Sequence, residues 1–439
     1  MTADDAAWAG RRLHFVGIGG AGMSGLALIA QALGAEVTGS ERADSSYAER
    51  LREHGITPVL GHRAENVPAG AEVVYSTAVA SDNPERRVAD RELHRADLLA
   101  EITRLRRCLA VTGTHGKTTT SAMVVHALRG AGMDPTYVVG GELRSTGANA
   151  GWGTGEWIVV EADESDRSLL KLDPEIAVLT NAELDHHSTY GSRLELEQTF
   201  RTFMARAGAG AVVWDRPALR ALCPPGAVPY DVPDPTLDAA GSRFAWHGIG
   251  VTMSVPGAHN AINAAGALTA CALAGADAAA AAAALGDFRG ARRRFERLGE
   301  TAAGAIVYDD YAHHPTEVRA TIAAARTLGP RRLVAVFQPH LYSRTRELAA
   351  AFGRALAEAD AVGVLPVYPA RERPEDFPGV DGRLIAAATA DAAVARPVAW
   401  LPGFDAARTW LSATLRVGDL CLVMGAGDVD SLARSLVAG

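Results

Sequence analysis

Short apolar runs alternate with longer stretches of helical period along most of the chain. "LHFVGIGG" reads as a strand entering a turn, and "AGMSGLALIAQALGA" as a helix whose first turn packs tightly. "EVTGSE" is a second strand, and "AEVVYSTAV" a further one that ends in a polar loop. This βαβ rhythm predicts parallel sheets covered by helices.

The rhythm restarts twice. A first boundary falls near Arg107, before "CLAVTGTHGKTTTSAMVVHALRGAG", which reads strand, loop, helix. "EWIVVEADESD" and "EIAVLTNAELDHH" are strands that each deliver acidic or histidine-bearing loops. "GAHNAINAAGALTACALAGA" and "ADAAAAAAALGDF" are alanine-rich helices, as alanine's propensity favours. The charged segment 288–300 marks a second boundary. Beyond it, "AIVYDDYAHHPTEVRATIAAAR", "RRLVAVFQPHLYSRTRELAAAFGRAL", "AVGVLPVYPARERP" and "DLCLVMGAGDVDSLARSL" are again βα. The predicted domains are therefore 1–107, 108–297 and 298–439, matching the roughly 150 residues per domain expected of 439 residues. Polar residues cluster at strand C-termini, where open α/β sheets bind ligands, so the site is expected in the cleft between domains.

Composition narrows the function. A net charge of −8, from 43 basic and 51 acidic residues, argues against a nucleic-acid partner, whose footprint is a basic stripe. Phosphates remain accessible to such a chain, because backbone N–H groups and one or two cations suffice to hold them. Cys108, Cys223, Cys271 and Cys421 form no close pair, which excludes a disulfide scaffold or a zinc knuckle. No segment has signal-peptide character or the roughly 20 apolar residues of a membrane span. The expectation is a cytoplasmic protein with no membrane span.

The loop "GTHGKT" (Gly113, Thr114, His115, Gly116, Lys117, Thr118) carries the strongest chemistry. Its glycines let N–H groups turn toward phosphate oxygens, Lys117 reaches them as a cation, and the Thr118 hydroxyl suits magnesium. The loop departs from G-x-x-x-x-G-K-[ST], since Val111 stands where the first glycine would be. Gly17, Gly19 and Gly22 fit G-x-G-x-x-G after a strand, with Glu41 at the end of the next. A nicotinamide dehydrogenase is the competing reading of that loop alone. Two phosphate loops fit better a nucleoside triphosphate at 113–118 and a diphosphate-linked substrate at 17–25.

Glu161 and His186 each follow an apolar strand and are candidate magnesium ligands. Asp163, Glu164 and Asp166 read as a solvated acidic loop. Asp309, Asp310, Tyr311, His313 and His314 share one loop, and His340, Tyr342 and Arg344 another. No third ligand at zinc spacing accompanies the histidines, and the set suits a carboxylate or phosphate.

Taken together, "GIGGAGMSGLA", "GTHGKTTT", "EADESD", "HNAINAAGAL", "RRFERLG", "DDYAHHPTEV", "FQPHLYSRT" and "GAGDV" resemble, in order and over nearly the whole chain, the blocks of the Mur ligases. These are ATP-dependent enzymes that build the peptide of bacterial cell-wall precursors. The resemblance implies three α/β domains: a Rossmann-like first domain, a central P-loop-type ATPase domain with a parallel sheet, and a Rossmann-like third domain. It implies ligation of L-alanine to the lactyl carboxylate of UDP-N-acetylmuramate, with ATP and Mg2+ required, by a monomer or weak homodimer. A recycling relative that attaches a whole tripeptide shares "GTHGKTTT" but has a different first loop.

The resemblance also implies residue roles. Gly17, Gly19, Gly20, Gly22 and Ser24 hold the UDP part, helped by Ser40, Glu41, Ser76 and Asn83. Gly113 to Thr119 bind ATP together with Asn260, Asn263, Asp310 and one of Arg293 and Arg294, with Arg294 counted catalytic beside Lys117, Glu161 and His186. Thr118, Glu161 and His186 hold magnesium. Tyr311, His313, His340 and Arg344 surround the amino acid. Three positions depart from the pattern: Leu341 in place of an arginine, "DHHSTY" in place of "DHLDTY", and Arg167 where a small residue is common. The chain has only two lysines, Lys117 and Lys171, so the carbamylated lysine of several sister ligases has no counterpart after His186. The implied chemistry activates the carboxylate as an acyl phosphate, and the third domain is expected to close to exclude water.

Overall fold

Apolar runs of four to six residues, ended by glycine-containing turns, become the buried central strands. The helices between them bury one face against the sheets. The computed structural model describes residues 8–186 and 189–437. The chain divides into two compact units, one of Met1–Leu184, Thr189–Asp231 and Asn263–Ala284, the other of Asp185–Ser188, Val232–Ile262 and Leu285–Gly439.

The first unit contains two sheets. Strands β1 (Arg12–Val16), β2 (Glu36–Glu41), β3 (Val59–Leu60), β4 (Glu72–Tyr75) and β5 (Arg91–His94) run parallel in the order β3-β2-β1-β4-β5. The order reverses at β1, so the turn at Gly17 opens at a switch point. The second sheet comprises β6 (Arg107–Thr112), β7 (Thr136–Leu143), β8 (Ala148–Gly151), β9 (Trp157–Glu161), β10 (Ile176–Leu179), β11 (Gly210–Trp214) and β12 (Val228–Tyr230). Its order is β12-β11-β10-β6-β9-β7-β8, and only the β7–β8 pair is antiparallel. Because β6 lies between β10 and β9, the loops after these three strands meet.

The expected boundary at residue 107 falls between these two sheets, inside one unit. The helix Ala21–Ala32 packs closely on β8: a Cβ at Gly25 would lie 3.1 Å from Ala150 Cβ. Asn149, fully buried, donates to the Ala21 carbonyl and the Ser24 hydroxyl. Trp8, Phe15, Tyr190, Phe200 and Phe203 are the largest side chains of the shared core.

The second unit also contains two sheets. Strands β13 (Thr236–Asp238), β14 (Gly241–Trp246) and β15 (Ile249–Met253) form an antiparallel sheet where the sequence reading placed no element. Its hairpin turns on His247 and Gly248, both at positive φ (46° and 82°), the conformation a two-residue turn between twisted strands requires. The larger sheet has β16 (Glu296–Glu300), β17 (Ile306–Asp310), β18 (Arg332–Phe337), β19 (Ala361–Val364), β20 (Val398–Trp400) and β21 (Asp419–Met424). Its order is β16-β17-β21-β18-β19-β20, parallel except for the edge strand β16. The loops after β17, β18 and β21 leave the same edge of this sheet.

Candidate active site

The phosphate-type loop leaves β6 at Thr112 and ends where the helix Lys117–Gly130 begins. Gly113 has φ +126°, and a Cβ there would lie 2.2 Å from Thr180 Oγ1 and 2.9 Å from the Asn181 backbone. Only glycine fits. Gly116 caps the helix at φ +79°. The loop rests on residues just past β10: Thr180 Oγ1 donates to the His115 carbonyl (2.6 Å) and Asn181 Oδ1 accepts from His115 N–H (2.8 Å). Thr114 Oγ1 donates to the Glu183 carbonyl (2.8 Å). Asn263 stands against Gly116, its Oδ1 being 2.9 Å from where a Cβ would sit. The sequence reading missed Thr180 and Asn181; their signal was a polar pair directly after an apolar strand.

Lys117 Nζ donates to the carbonyls of Gly113 (2.7 Å) and Thr114 (3.2 Å) and pairs with Glu164 Oε2 at 2.8 Å. Burial alone would lower this ammonium, but Glu164, Asp163 and Glu161 together hold it above its ordinary value. Thr118 Oγ1 donates to Glu161 (3.0 and 3.1 Å), whose Oε2 also accepts from Gly140 N–H (2.8 Å). A hydroxyl and a carboxylate side by side at the helix start are the hard oxygen donors magnesium takes, so this pair fits that ion. Thr119 lies half-buried one position on. The acidic loop after β9 is not the solvated segment the sequence implied: Glu164 is completely buried because it neutralises Lys117.

At the first loop, Gly17 has φ +74°, and the N–H groups of Gly17 and Ile18 both donate to the Ser40 carbonyl. Glu41 Oε2 accepts from Gly19 N–H (2.8 Å), so the acid at the end of β2 does reach the turn. Gly20 caps the following helix without a side-chain bond, and Gly22 and Ser24 lie in its first turns. The Ser40 hydroxyl points inward to the fully buried Glu85, so Ser40 touches the loop through its backbone. Glu85 also accepts from Asn66 Nδ2 (2.6 Å) and Arg63 N–H (3.1 Å), with His14 Nε2 3.5 Å away. Asn83 caps a short helix by accepting from Glu85 N–H, and Ser76 lies half-buried just past β4.

In the second unit, Arg344 holds Asp185 with three bonds of 3.0–3.1 Å, both side chains being buried. Burial would raise the Asp185 carboxyl, but the Arg344 guanidinium and the His186 N–H hold it well below the carboxylate range. His186, at φ +55°, has Nε2 3.9 Å from Asp185 Oδ2; residues His187 and Ser188 lie outside the described residues. His340 Nδ1 is 3.1 Å from Arg344 Nη1, and the rings of His313 and His340 stand 5.9 Å apart, with Tyr311 5.3 Å from His313. Burial, together with the Arg344 charge, pushes His313 down to about 4 and His340 to about 3, so both imidazoles are neutral at pH 7. The sequence-predicted amino-acid residues thus form one cluster.

The two candidate arginines differ. Arg293 donates to the carbonyls of Gly425 (2.7 Å) and Gly427 (3.0 Å) and lies 3.4 Å from Asp309. Arg294 lies over the Tyr311 ring at 4.9 Å. Asp310 accepts from Phe295 N–H, just before β16, and from Ala312 N–H of its own loop (both 2.7 Å). Burial raises it to about 6, against the pull of Arg294. Asn260 is buried and donates to the Pro256 carbonyl (2.7 Å).

Three family models match in sequence: "Mur ligase family, catalytic domain" over residues 12–107, "Mur ligase middle domain" over 111–223, and "Mur ligase, glutamate ligase domain" over 293–427. A curated relative from Acidithiobacillus ferrooxidans, named UDP-N-acetylmuramate–L-alanine ligase, is 42% identical with 96% of each chain covered. The chain belongs to the Mur ligase family. A relative of the same name from Streptomyces coelicolor is 43% identical, again over 96% of both chains. The solved UDP-N-acetylmuramate–alanine ligase of Thermotoga maritima has a TM-score of 0.83 to this Mur ligase at 28% identity, covering 97% of this chain and 98% of that one. The three-domain α/β organisation of a Mur ligase is thus present. Two of the departures have local accounts. Arg167 sits at φ +60°, where glycine is strained least, and donates to the Thr189 carbonyl while covering the Tyr190 ring. Leu341, at φ +70°, is buried and donates its N–H to the Tyr368 carbonyl.

Proposed function

We propose that this Mur ligase joins L-alanine to the lactyl carboxylate of UDP-N-acetylmuramate at the expense of ATP, in the cytoplasm, as a step of peptidoglycan precursor synthesis. The observation that carries the reading is a pair of glycine loops at strand ends of two parallel sheets in one unit. The second of these loops brings together Lys117, Thr118 and Glu161. Relatives above 40% identity over nearly their whole length support the choice of substrates. The proposed division of labour is UDP binding by 1–107, ATP binding by 108–297 and amino-acid binding by 298–439.

A carboxylate is a poor electrophile at neutral pH. Its oxygen attacks the γ-phosphorus, ADP leaves, and the resulting acyl phosphate has a good leaving group. The alanine nitrogen then attacks the acyl carbon, phosphate departs, and the nitrogen loses a proton. Such phosphoryl transfer depends on positioning and charge neutralisation. Lys117 supplies a fixed positive charge, and the N–H groups of residues 116–118, at the start of the helix, supply donors. Thr118 and Glu161 would hold magnesium, which neutralises phosphate charge when bound. One of Arg293 and Arg294 is assigned to phosphate; Arg293 already donates to the carbonyls of Gly425 and Gly427, and both guanidiniums lie over the Tyr311 ring. Neutral His313 and His340, with Arg344 and Tyr311, are assigned to the amino acid.

The test is phosphate release from ATP with each acceptor omitted in turn. Release that requires both UDP-N-acetylmuramate and L-alanine is expected. Tight NADH binding with no response to the sugar nucleotide would refute the reading in favour of a dehydrogenase.

A further inference from the structure

The loop that follows β9 distributes its carboxylates in two directions. Glu161 and Glu164 face the phosphate-type loop, on Thr118 and Lys117. Asp163 and Asp166 face the other way, onto Arg95, at 3.4 and 3.1 Å from Nη2. Arg95 opens the helix Arg95–Thr103 of the first sheet's domain, so these pairs cross from one sheet to the other within the first unit. Arg95 Nη1 lies 3.4 Å from where a Cβ at Gly22 would stand. One guanidinium therefore faces Gly22, in the first turn of the helix after the glycine loop, on one side and two carboxylates on the other.

The carboxylate loop is stiff. Asp163 accepts from Ser165 N–H and Oγ (both 2.9 Å), Asp166 accepts from Ser168 N–H (3.0 Å), and the Tyr190 hydroxyl donates to the Glu164 carbonyl (2.7 Å). Asp163 and Asp166 lie one and two residues from Glu164, within this bonded loop. We propose that Arg95 is a positioning residue that couples the two loops. A diphosphate on the glycine loop draws the guanidinium, and the shift in its carboxylate partners changes how Glu164 and Glu161 hold Lys117 and Thr118. Binding of the diphosphate-linked acid and of ATP then become interdependent, and by linkage the dependence is reciprocal. The planar fork of arginine can serve an anion and a carboxylate pair at once, which a lysine ammonium does less well. This proposal rests on the ligase reading above.

Calorimetric titration of the full chain tests it. The dissociation constant of UDP-N-acetylmuramate is measured with and without magnesium and a non-hydrolysable ATP analogue, for the wild type, Arg95→Lys, Arg95→Ala and Asp166→Asn. The wild type is expected to show a coupling factor of about 5 to 150 between the two ligands. Arg95→Ala is expected to bind the sugar nucleotide about 10- to 100-fold more weakly, with the coupling factor near 1. Arg95→Lys is expected to keep part of the affinity and lose most of the coupling. Asp166→Asn is expected to bind the sugar nucleotide at least as tightly as wild type and still lose coupling, a result a merely structural role for Arg95 does not produce. Folded variants that retain the wild-type coupling factor overturn the proposal, whether or not affinity falls. A wild type that binds the ATP analogue but not the sugar nucleotide overturns the substrate reading itself, and the proposal with it.

Discussion

Glu164 Oε2 stands 2.8 Å from Lys117 Nζ, and the Glu164 side chain is completely shielded from solvent. The lysine that the phosphate-type loop presents is thus balanced internally, folded back on two carbonyls of its own loop and on a buried carboxylate.

Lys117→Ala is expected to cut phosphate release by about 10²-fold or more, as loss of a charge-stabilising donor does. It also strands Glu164, at a stability cost of about 3 kcal/mol or more. The double variant Lys117→Ala, Glu164→Gln is expected to recover the melting temperature without recovering activity. Because the folded lysine titrates above its ordinary value of about 10.4, its share of stability is complete below that pH and is lost only as pH rises beyond it. Melting curves of the single variant that match wild type, or near-normal turnover in either variant, would contradict this account.

Asp309 is buried beside Arg293, and burial raises its carboxyl to about 7 although Arg293 pulls the other way. A carboxyl raised on folding contributes fully below its unfolded value and loses that contribution as pH climbs through the folded value. Wild-type melting temperature should therefore decline between about pH 4 and pH 7 by a term that Asp309→Asn abolishes. At pH 8 the variant is expected to melt higher than wild type. Equal pH slopes in the two proteins would show that Asp309 does not titrate there.

Glu85 behaves oppositely. Burial opposes its ionisation, but His14, Ser40, Asn66 and the Arg63 N–H lower it to about 2. Its contribution is present above its ordinary value of about 4.3 and fades as pH falls toward 2. Glu85→Gln is expected to cost on the order of 3 kcal/mol at pH 7, with the gap to wild type closing in acid. Chemical denaturation at pH 7 and pH 2.5 measures it, and a gap that stays constant would refute the assignment.

Lys171 pairs with Asp97 at 2.6 Å, both side chains more than a third exposed. An exposed pair contributes about 0–1 kcal/mol. Lys171→Arg is expected to be nearly neutral, and activity is expected to be indifferent to bicarbonate removal. An inactive Lys171→Ala rescued by short carboxylic acids would reveal a carbamate and sink this view of the metal site.

The parallel strands and glycine loops were legible in the chain, because a buried strand and a phosphate turn each have a local signature. The antiparallel sheet β13–β15 was passed over although "SRFAW" and "IGVTM" flank His247 and Gly248. Its alternation is short, and a histidine at positive φ is not a strong turn signal. Ser40 and Asp310 were read as ligand contacts from their place at strand ends; that their side chains also meet Glu85, and Phe295 and Ala312, has no local signature.

By itself the sequence determined the family, the βαβ order and the presence of two phosphate-type loops. Each of these is written in contiguous residues whose backbone needs are local. Only the tertiary structure decided which arginine of the triplet is spent on carbonyls, and that Glu164 neutralises Lys117. It alone put Asp185 on Arg344 and Arg95 on Asp163 and Asp166. The partners in these pairs are separated by 47 to 159 positions in the chain. Burial, which sets the strength of a charge pair, is a property of the packed chain and not of any segment of it.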